Sequence, residues 1–426
     1  MSSGPEPLDE SGEVAVSERP PTTLKTILSD RAVLTVIFLA FVVTFGLGLV
    51  LPFLPLFARS FGVSFAGAGL IISAFGVSRL ALDLAAGTLV DRVGERRAGA
   101  ASLVLMALTA LGTGLAPSYA VAVVVWSIGG AGSAVVMAAL YTYLLKIAPE
   151  DAAARTLGVF YSAFNVGIFA GGFAGGLIAQ RFGLASPLFV YSGAMVIAAI
   201  LFFSLLRDVP RATPGPGQAS KPAGREASYR VIAQLLKTRV FVTTLVLDFA
   251  YLWFVAAIFD TFVPLFGKSG LGMSPAGIGA VFAVAIITEF AVLYPAGVLA
   301  DRIGRKRIAI TSFLGLAAMC AALGWAPTPI VLGLLMAVLG VASGFAGVVP
   351  AAMLSDVRPS GSSGIAVGAF RFAGDLAFVI GPLVVGGTMD TFGFKTAAAL
   401  IAIPLVGATI LAAWTPETLK AKVTAL

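Results

Sequence analysis

Charge is scarce in this sequence, and the charges lying inside its apolar stretches are the first guide to chemistry. Arg79 and Asp83 stand four residues apart in one such stretch, and Arg371 and Asp375 repeat the spacing in another. On a helix, residues four apart share a face. Each pair can therefore neutralise itself as an internal ion pair or present two ionisable groups to a bound molecule. Asn165 reaches a depth similar to that of Asp375. Glu289 differs, because no base stands within one helical turn of it. A carboxyl group in hydrocarbon with no basic partner holds a proton, the state a proton carrier must visit. Asp248 and Asp260 add two further carboxyls on one stretch, Asp260 near its end, where solvent at a mouth accounts for it. Glu289, Asp375, Asp83 and Asp248 are the proton-coupling candidates, and Arg79, Asn165 and Arg371 the polar candidates for a substrate cavity.

What is missing narrows the chemistry further. The chain has no histidine, which removes imidazole metal sites and Ser-His-Asp catalysis together. Its single cysteine, Cys320, lies in an apolar run, so no intrachain disulfide can form. No G-x-x-x-x-G-K-[ST] loop is present; GLGMSPAGIG near residue 270 has no lysine. The longest loop carries only Asp208 and Glu226 as acids. No enzyme active site, metal or cofactor is expected.

The elements that must position these residues follow from composition. Of 426 residues, 58% are apolar and only 12% charged, about half the charge of a soluble protein. Apolar runs fall near 33–57, 67–90, 98–116, 119–146, 156–180, 186–206, 240–266, 275–300, 308–326, 329–355, 364–389 and 394–415. Each is long enough to cross ~30 Å of hydrocarbon as a helix. The fold class is an all-α polytopic membrane protein with twelve spans. Residues 1–30 read as a disordered tail, 31–206 and 240–415 as two six-span bundles, 207–239 as a polar linker and 416–426 as a second tail. Within the linker, YRVIAQLLKT at 229–238 is amphipathic and suited to lie along a membrane surface.

Lysine and arginine set the orientation. With both termini on one side, that side carries 22 of the 28 basic residues, the other side carries Arg59, Arg181, Lys268 and Lys395, and Arg79 and Arg371 lie within spans. The excess places both termini in the cytoplasm of a cell membrane. The basic loops thus serve orientation and give no indication of a nucleic-acid partner.

The two halves repeat. GTLVDRVGERR from Gly87 and GVLADRIGRKR from Gly297 are offset by 210 residues, as are Gly158 and Gly368, Asn165 and Asp375, and Phe182-Gly183 and Phe392-Gly393. FLPLF at 53–57 and FVPLF at 262–266 are offset by 209. Six is even, so both copies enter from the same side and the repeat is parallel. Rise per residue puts Arg79 about 18 Å from Asp91 and Glu289 about 18 Å from Asp301 along their helices, near the midplane.

These residues resemble the major facilitator superfamily. The loops Gly87, Asp91, Arg92, Gly94, Arg96, Arg97 and Gly297, Asp301, Arg302, Gly304, Arg305, Lys306 are similar to its G-x-L-x-D-R-x-G-R-R signature, with Glu95 where a base is usual. Gly87 and Gly297 are expected to allow close helix contact, and each loop aspartate to meet a helix N-terminus or the loop's own arginines. Gly158, Gly167, Gly171, Gly172, Gly175 and Gly176 resemble the G-x8-G-x3-G-P-x2-G-G spacing of the twelve-helix drug/proton antiporter branch, Gly172 replacing proline. Gly381-Pro382 is the second-half counterpart, and ordinary small-residue packing explains part of the pattern. The branch's R-x-x-Q-G-x-G motif is broken at Trp126–Gly132, where both Arg and Gln are absent.

The resemblance implies the major facilitator fold. It also implies that helices 1, 4, 7 and 10 face a central cavity, making Trp126, Tyr141 and Trp253 its aromatic candidates. An apolar chamber suits amphipathic or hydrophobic substrates better than sugars. The function expected is secondary active transport by alternating access: efflux of small organic compounds in exchange for protons, by a monomer in the lipid bilayer. The alternatives are a proton-independent facilitator or uptake carrier for a metabolite, and a lipid flippase.

Overall fold

The computed structural model describes residues 29–148, 152–206, 232–357 and 363–419. The expected tail at 1–28, most of the linker (207–231), Arg358 and the last seven residues lie outside that set. The chain folds into long helices: α1 Arg31–Val50, α2 Phe65–Val93, α3 Glu95–Gly114, α4 Tyr119–Ile147, α5 Ala153–Phe182, α6 Ser186–Leu205, α7 Arg239–Ala257, α8 Pro275–Ile303, α9 Arg305–Leu323 and α10 Pro329–Val357. The last, Ser363–Trp414, is broken at Gly393 (φ 78°, ψ 177°) into two arms, α11 and α12. Among the described residues eleven helices are long and apolar enough to span a bilayer, and the break divides the eleventh, giving the twelve expected.

Local chemistry explains the ends. The Ser64, Ser118 and Ser274 hydroxyls accept the first free amides of α2, α4 and α8, as N-caps do. Among the described residues six glycines adopt positive φ, and they form three pairs at the repeat offset of 210: Gly62 and Gly272, Gly94 and Gly304, Gly183 and Gly393. Only glycine enters that region without strain, so duplication kept the turn residues in register. α1 and α7 each run on into a short helix with proline in its first turn, Leu54–Arg59 and Val263–Ser269. In α7 the junction is a π-turn, Ile258–Phe262. Of the segment expected to lie on the membrane surface, residues 232–236 form a short helix whose Leu235 packs with Phe241 and Leu354.

α1 packs on α5 and α6, α2 on α4, and α3 on α4 and α6; the second half repeats the scheme, with α7 against α11, α8 on α10, and α9 on α10 and α12. The halves meet along two seams, α2 with α11 and α5 with α8. Glycines bring the backbones together within each half. A Cβ on Gly171 or Gly175 would lie 2.2–2.3 Å from carbonyl oxygens of α1, and one on Gly167 would lie 2.2 Å from the Thr44 hydroxyl.

Along each seam the spacing changes from one membrane face to the other. At the face bearing the loops at 60–64 and 270–274, the seams are tight: a Cβ on Gly69 would lie 2.1 Å from the Pro382 carbonyl and one on Gly386 2.3 Å from that of Phe65. Gly176 likewise abuts Pro275 and Gly279, and the Asp390 carboxylate accepts the Phe65 and Ala66 amides at 2.9 and 2.7 Å. At the opposite face, which carries the two charged repeat loops, Gly87, Gly158, Gly297 and Gly368 would each find nothing within 4 Å of an added Cβ. The expected close contact at Gly87, Gly297 and Gly158 is therefore absent. All four seam helices touch at one end and splay at the other, so the molecule is open toward its charged loops.

Candidate functional site

Between the seams lies a cavity of about 430 Å³. Its wall is mainly Leu, Ile, Gly and Phe, with Arg79 and Asp375 on one seam and Asn165 and Glu289 on the other. Arg79 and Glu289 occupy equivalent repeat positions, as do Asp375 and Asn165. The duplicated sites have thus diverged from a base with an acid to an acid with an amide.

The ion pairs do not form within helices. Arg79 of α2 lies 3.4 Å (Nε to Oδ1) from Asp375 of α11, and Arg371 of α11 donates to Asp83 of α2 at 3.0 Å. The expected pairing of each arginine with the aspartate four residues on is replaced by a crossed pair that bridges the halves. The physical reason is the antiparallel course of α2 and α11: the partner numbers total 454 in both pairs, so each arginine faces an aspartate directly across the seam. Asp83 and Arg371 do not line the cavity; they lie one turn nearer the open face.

Among the described residues no base pairs with Glu289, and its partners are neutral. The Tyr251 hydroxyl donates to its Oε1 at 3.4 Å and lies 3.4 Å from the Ser343 hydroxyl. α7, α8 and α10 thus each contribute one polar group to a cluster in the cavity wall. Glycines on α10 make room for it: a Cβ on Gly347 would stand 2.7 Å from the Tyr251 oxygen. Sequence reasoning missed Tyr251 and Ser343. The repeat offset was a usable signal for Ser343, since it pairs with Ser133, a second buried serine.

Asp260 is not solvated at a mouth. It sits in the π-turn of α7, 5% exposed, and lines the cavity toward its closed end. π-turns concentrate at functional positions. Asp248, one buried stretch earlier on α7, is outside the cavity wall and lies against α11 at Gly374.

The aromatic candidates are displaced. Trp126 is 1% exposed and stacked on Phe75 of α2 at 5.2 Å, beside Tyr191 of α6. Trp253 donates its Nε1 to the Ile401 carbonyl of α12 at 3.2 Å. Neither lines the cavity, nor does Tyr141. Both indoles fill space between helices of one half, where their large apolar area is best used. The aromatic wall is instead Phe75, Phe164, Phe169, Tyr251, Phe259, Phe282, Phe290 and Phe378, with Phe169 and Phe290 edge-to-face at 5.7 Å across the α5–α8 seam.

The charged loops are held by networks of opposite polarity. In the second, Asp301 pairs with Arg305, which also reaches Asp356 at 3.4 Å; Glu417 accepts the Arg305 and Lys306 amides at 2.9 and 3.2 Å. In the first, buried Glu95 pairs with Lys146 at 2.5 Å, and Arg96 donates to the Phe203 carbonyl at 2.6 Å. Glu95 is the repeat counterpart of Arg305, and Lys146 of Asp356. The departure at Glu95 is thus a charge reversal with its partner reversed too. Arg92, Arg97, Gly94, Gly304 and Arg302 lie at these helix junctions. Of the remaining glycines, Gly172 and Gly381 make only ordinary contacts, the nearest at 3.8 Å to Pro52 and 3.6 Å to Trp253.

A model of the Major Facilitator Superfamily matches residues 36–288 and 268–425. The chain belongs to that superfamily. It is accordingly a membrane transport protein and not an enzyme. Among curated facilitators it is 24% identical to multidrug resistance protein 2 of Bacillus subtilis, over 67% of this chain and 71% of that one. It is also 24% identical to the quinolone resistance protein NorA of Staphylococcus aureus, over 58% of this chain and 62% of that one. The match thus spans less than two thirds of NorA. In fold it is similar to the nucleoside transporter NupG (TM-score 0.73, 16% identity, 90% of this chain and 98% of that one). It is similar also to a D-xylose-proton symporter (TM-score 0.72, 18% identity, 91% and 98%).

Proposed function

We propose that this facilitator exports small amphipathic or hydrophobic organic compounds in exchange for protons. The cavity would be exposed alternately to either face by rocking of two six-helix bundles, 31–206 and 240–415, in a cell membrane with both termini cytoplasmic and no second copy required. The observation that carries the reading is the cavity wall: mostly apolar and aromatic, with Glu289 hydrogen-bonded by Tyr251 on one seam and Arg79 paired with Asp375 on the other. Its polar side chains, Arg79, Asn165, Tyr251, Asp260, Glu289, Ser343 and Asp375, stand among Phe, Leu, Ile and Gly, so a polar group on the cargo can be held while its apolar part meets the rest of the wall. The names of the B. subtilis and S. aureus relatives agree with drug export.

In this scheme Glu289 takes a proton when the cavity faces outward. A substrate entering from the cytoplasm then favours its release. Moving one charge through 100 mV is worth ~2.3 kcal/mol, about 50-fold in concentration. A proton-independent facilitator is the second reading, favoured by the missing Arg and Gln of the α4 motif between Trp126 and Gly132.

Proteoliposomes decide between them. With ethidium, a fluoroquinolone and xylose as probes, an imposed pH gradient should drive the first or second and not the third. Glu289→Gln should cut that coupled flux at least tenfold. Flux indifferent to the gradient and to a protonophore selects the facilitator. Coupling that survives Glu289→Gln removes that residue from the scheme.

A further inference from the structure

We propose that Asp248 and Asp375 form a paired proton site where α7 meets α11, holding one proton between them opposite the single guanidinium of Arg79. Asp248 and Asp375 are 6% and 8% exposed. Each has an Oδ2 that is buried without a hydrogen-bond partner. Arg79 faces Asp375 at 3.4 Å through a buried Nε that makes no hydrogen bond either, so the contact is an ion pair with capacity left over. Three helices, α2, α7 and α11, thus bring three unsatisfied buried atoms to one place. Close approach is built in at Gly374, the neighbour of Asp375, where a Cβ would stand 2.7 Å from the Asp248 Oδ2. Asp248 and Asp375 are within electrostatic reach of one another.

Charge counting fixes the occupant. Asp83 and Arg371 neutralise each other one turn away. The other ionisable neighbours are Tyr251 on α7, Glu289 hydrogen-bonded to it from α8, and Tyr161 of α5, which faces Arg371 and Tyr141. None adds a positive charge. Two carboxyls therefore confront one base, and an uncompensated buried charge is strongly destabilising. One proton removes the surplus. The site straddles the halves, so its proton sets how firmly Arg79 of α2 is held at α11. It would supply a coupling proton to the export scheme, and it rests on that scheme only for what the proton does, not for its being bound.

The test is infrared spectroscopy of the protonated-carboxyl band of the purified full-length chain in lipid nanodiscs, from pH 5.5 to 9, with Glu289→Gln recorded in parallel to subtract that acid. Asp248→Asn and Asp375→Asn should each remove the intensity of one protonated carboxyl, equally. Arg79→Gln should raise the count from one to two, a gain that misfolding would not produce. The proposal is overturned if either aspartate variant leaves the band intact, if Arg79→Gln does not add to it, or if the band responds to replacing sodium by choline, which would mark a metal-cation site. Proton-driven flux persisting without the band defeats this site alone. A normal band in a chain whose flux ignores pH defeats the export scheme alone.

Discussion

The tight seam can be forced open by a single methyl group. In the structure a Cβ on Gly69 would stand 2.1 Å from the Pro382 carbonyl oxygen, whereas ordinary contact begins at 3.4 Å, so Gly69→Ala requires α2 and α11 to part by 1.3 Å at that face. The obstacle is backbone on both helices, which cannot swing aside as a side chain would. Overpacking of this kind costs about 1–3 kcal/mol. The penalty falls only on the conformation closed at this face, so the ratio of the two states should move by roughly 5- to 150-fold toward opening there. Spin labels across the 60–64 and 270–274 loops, and a second pair across the two charged loops, would read the shift as paired distance distributions. Gly87→Leu supplies the opposite sign, because its site is empty here and would be crowded only if the charged-loop face closed. Unchanged distances in Gly69→Ala at both faces would refute the claim that this contact seals the cavity.

Two further outcomes follow from the geometry. Asp83→Asn should lower stability by about 1–2 kcal/mol, between the values for exposed and buried pairs, and the double exchange Asp83→Arg with Arg371→Asp should restore most of it in thermal melts; no rescue would mean the charges do not bridge the seam. Trp126→Phe should cost about 2–4 kcal/mol through the cavity it leaves between α2, α4 and α6, while the order of preference among transported probes stays as it was. A changed preference would return Trp126 to the substrate wall.

Much of this architecture was legible in the residues. The apolar runs located the spans, and the 210-residue offset exposed a duplication that the positive-φ pairs and serine caps repeat. The lack of a base within one turn of Glu289 on its own helix was also visible, because a helix face can be read from spacing. The misplacements share one cause. Trp126, Tyr141 and Trp253 were assigned to the cavity by helix, yet which side of a helix looks inward depends on its rotation against its neighbours. Asp260 was placed at a mouth by its distance along the chain, which says nothing of how the two seams close over it.

What the linear chain determined by itself is therefore its solvent, its number of crossings, its twofold repetition and its excess of basic residues at one set of loops. These follow from transfer free energies and backbone preferences that act within a few residues. The tertiary structure alone decided that Arg79 meets Asp375 and not Asp83, that Glu95 is balanced by Lys146, and that Tyr251 and Ser343 attend Glu289. The physical reason is that such partners come from different helices. Their meeting depends on the register and tilt of packed bundles, to which every span contributes and which no local pattern encodes.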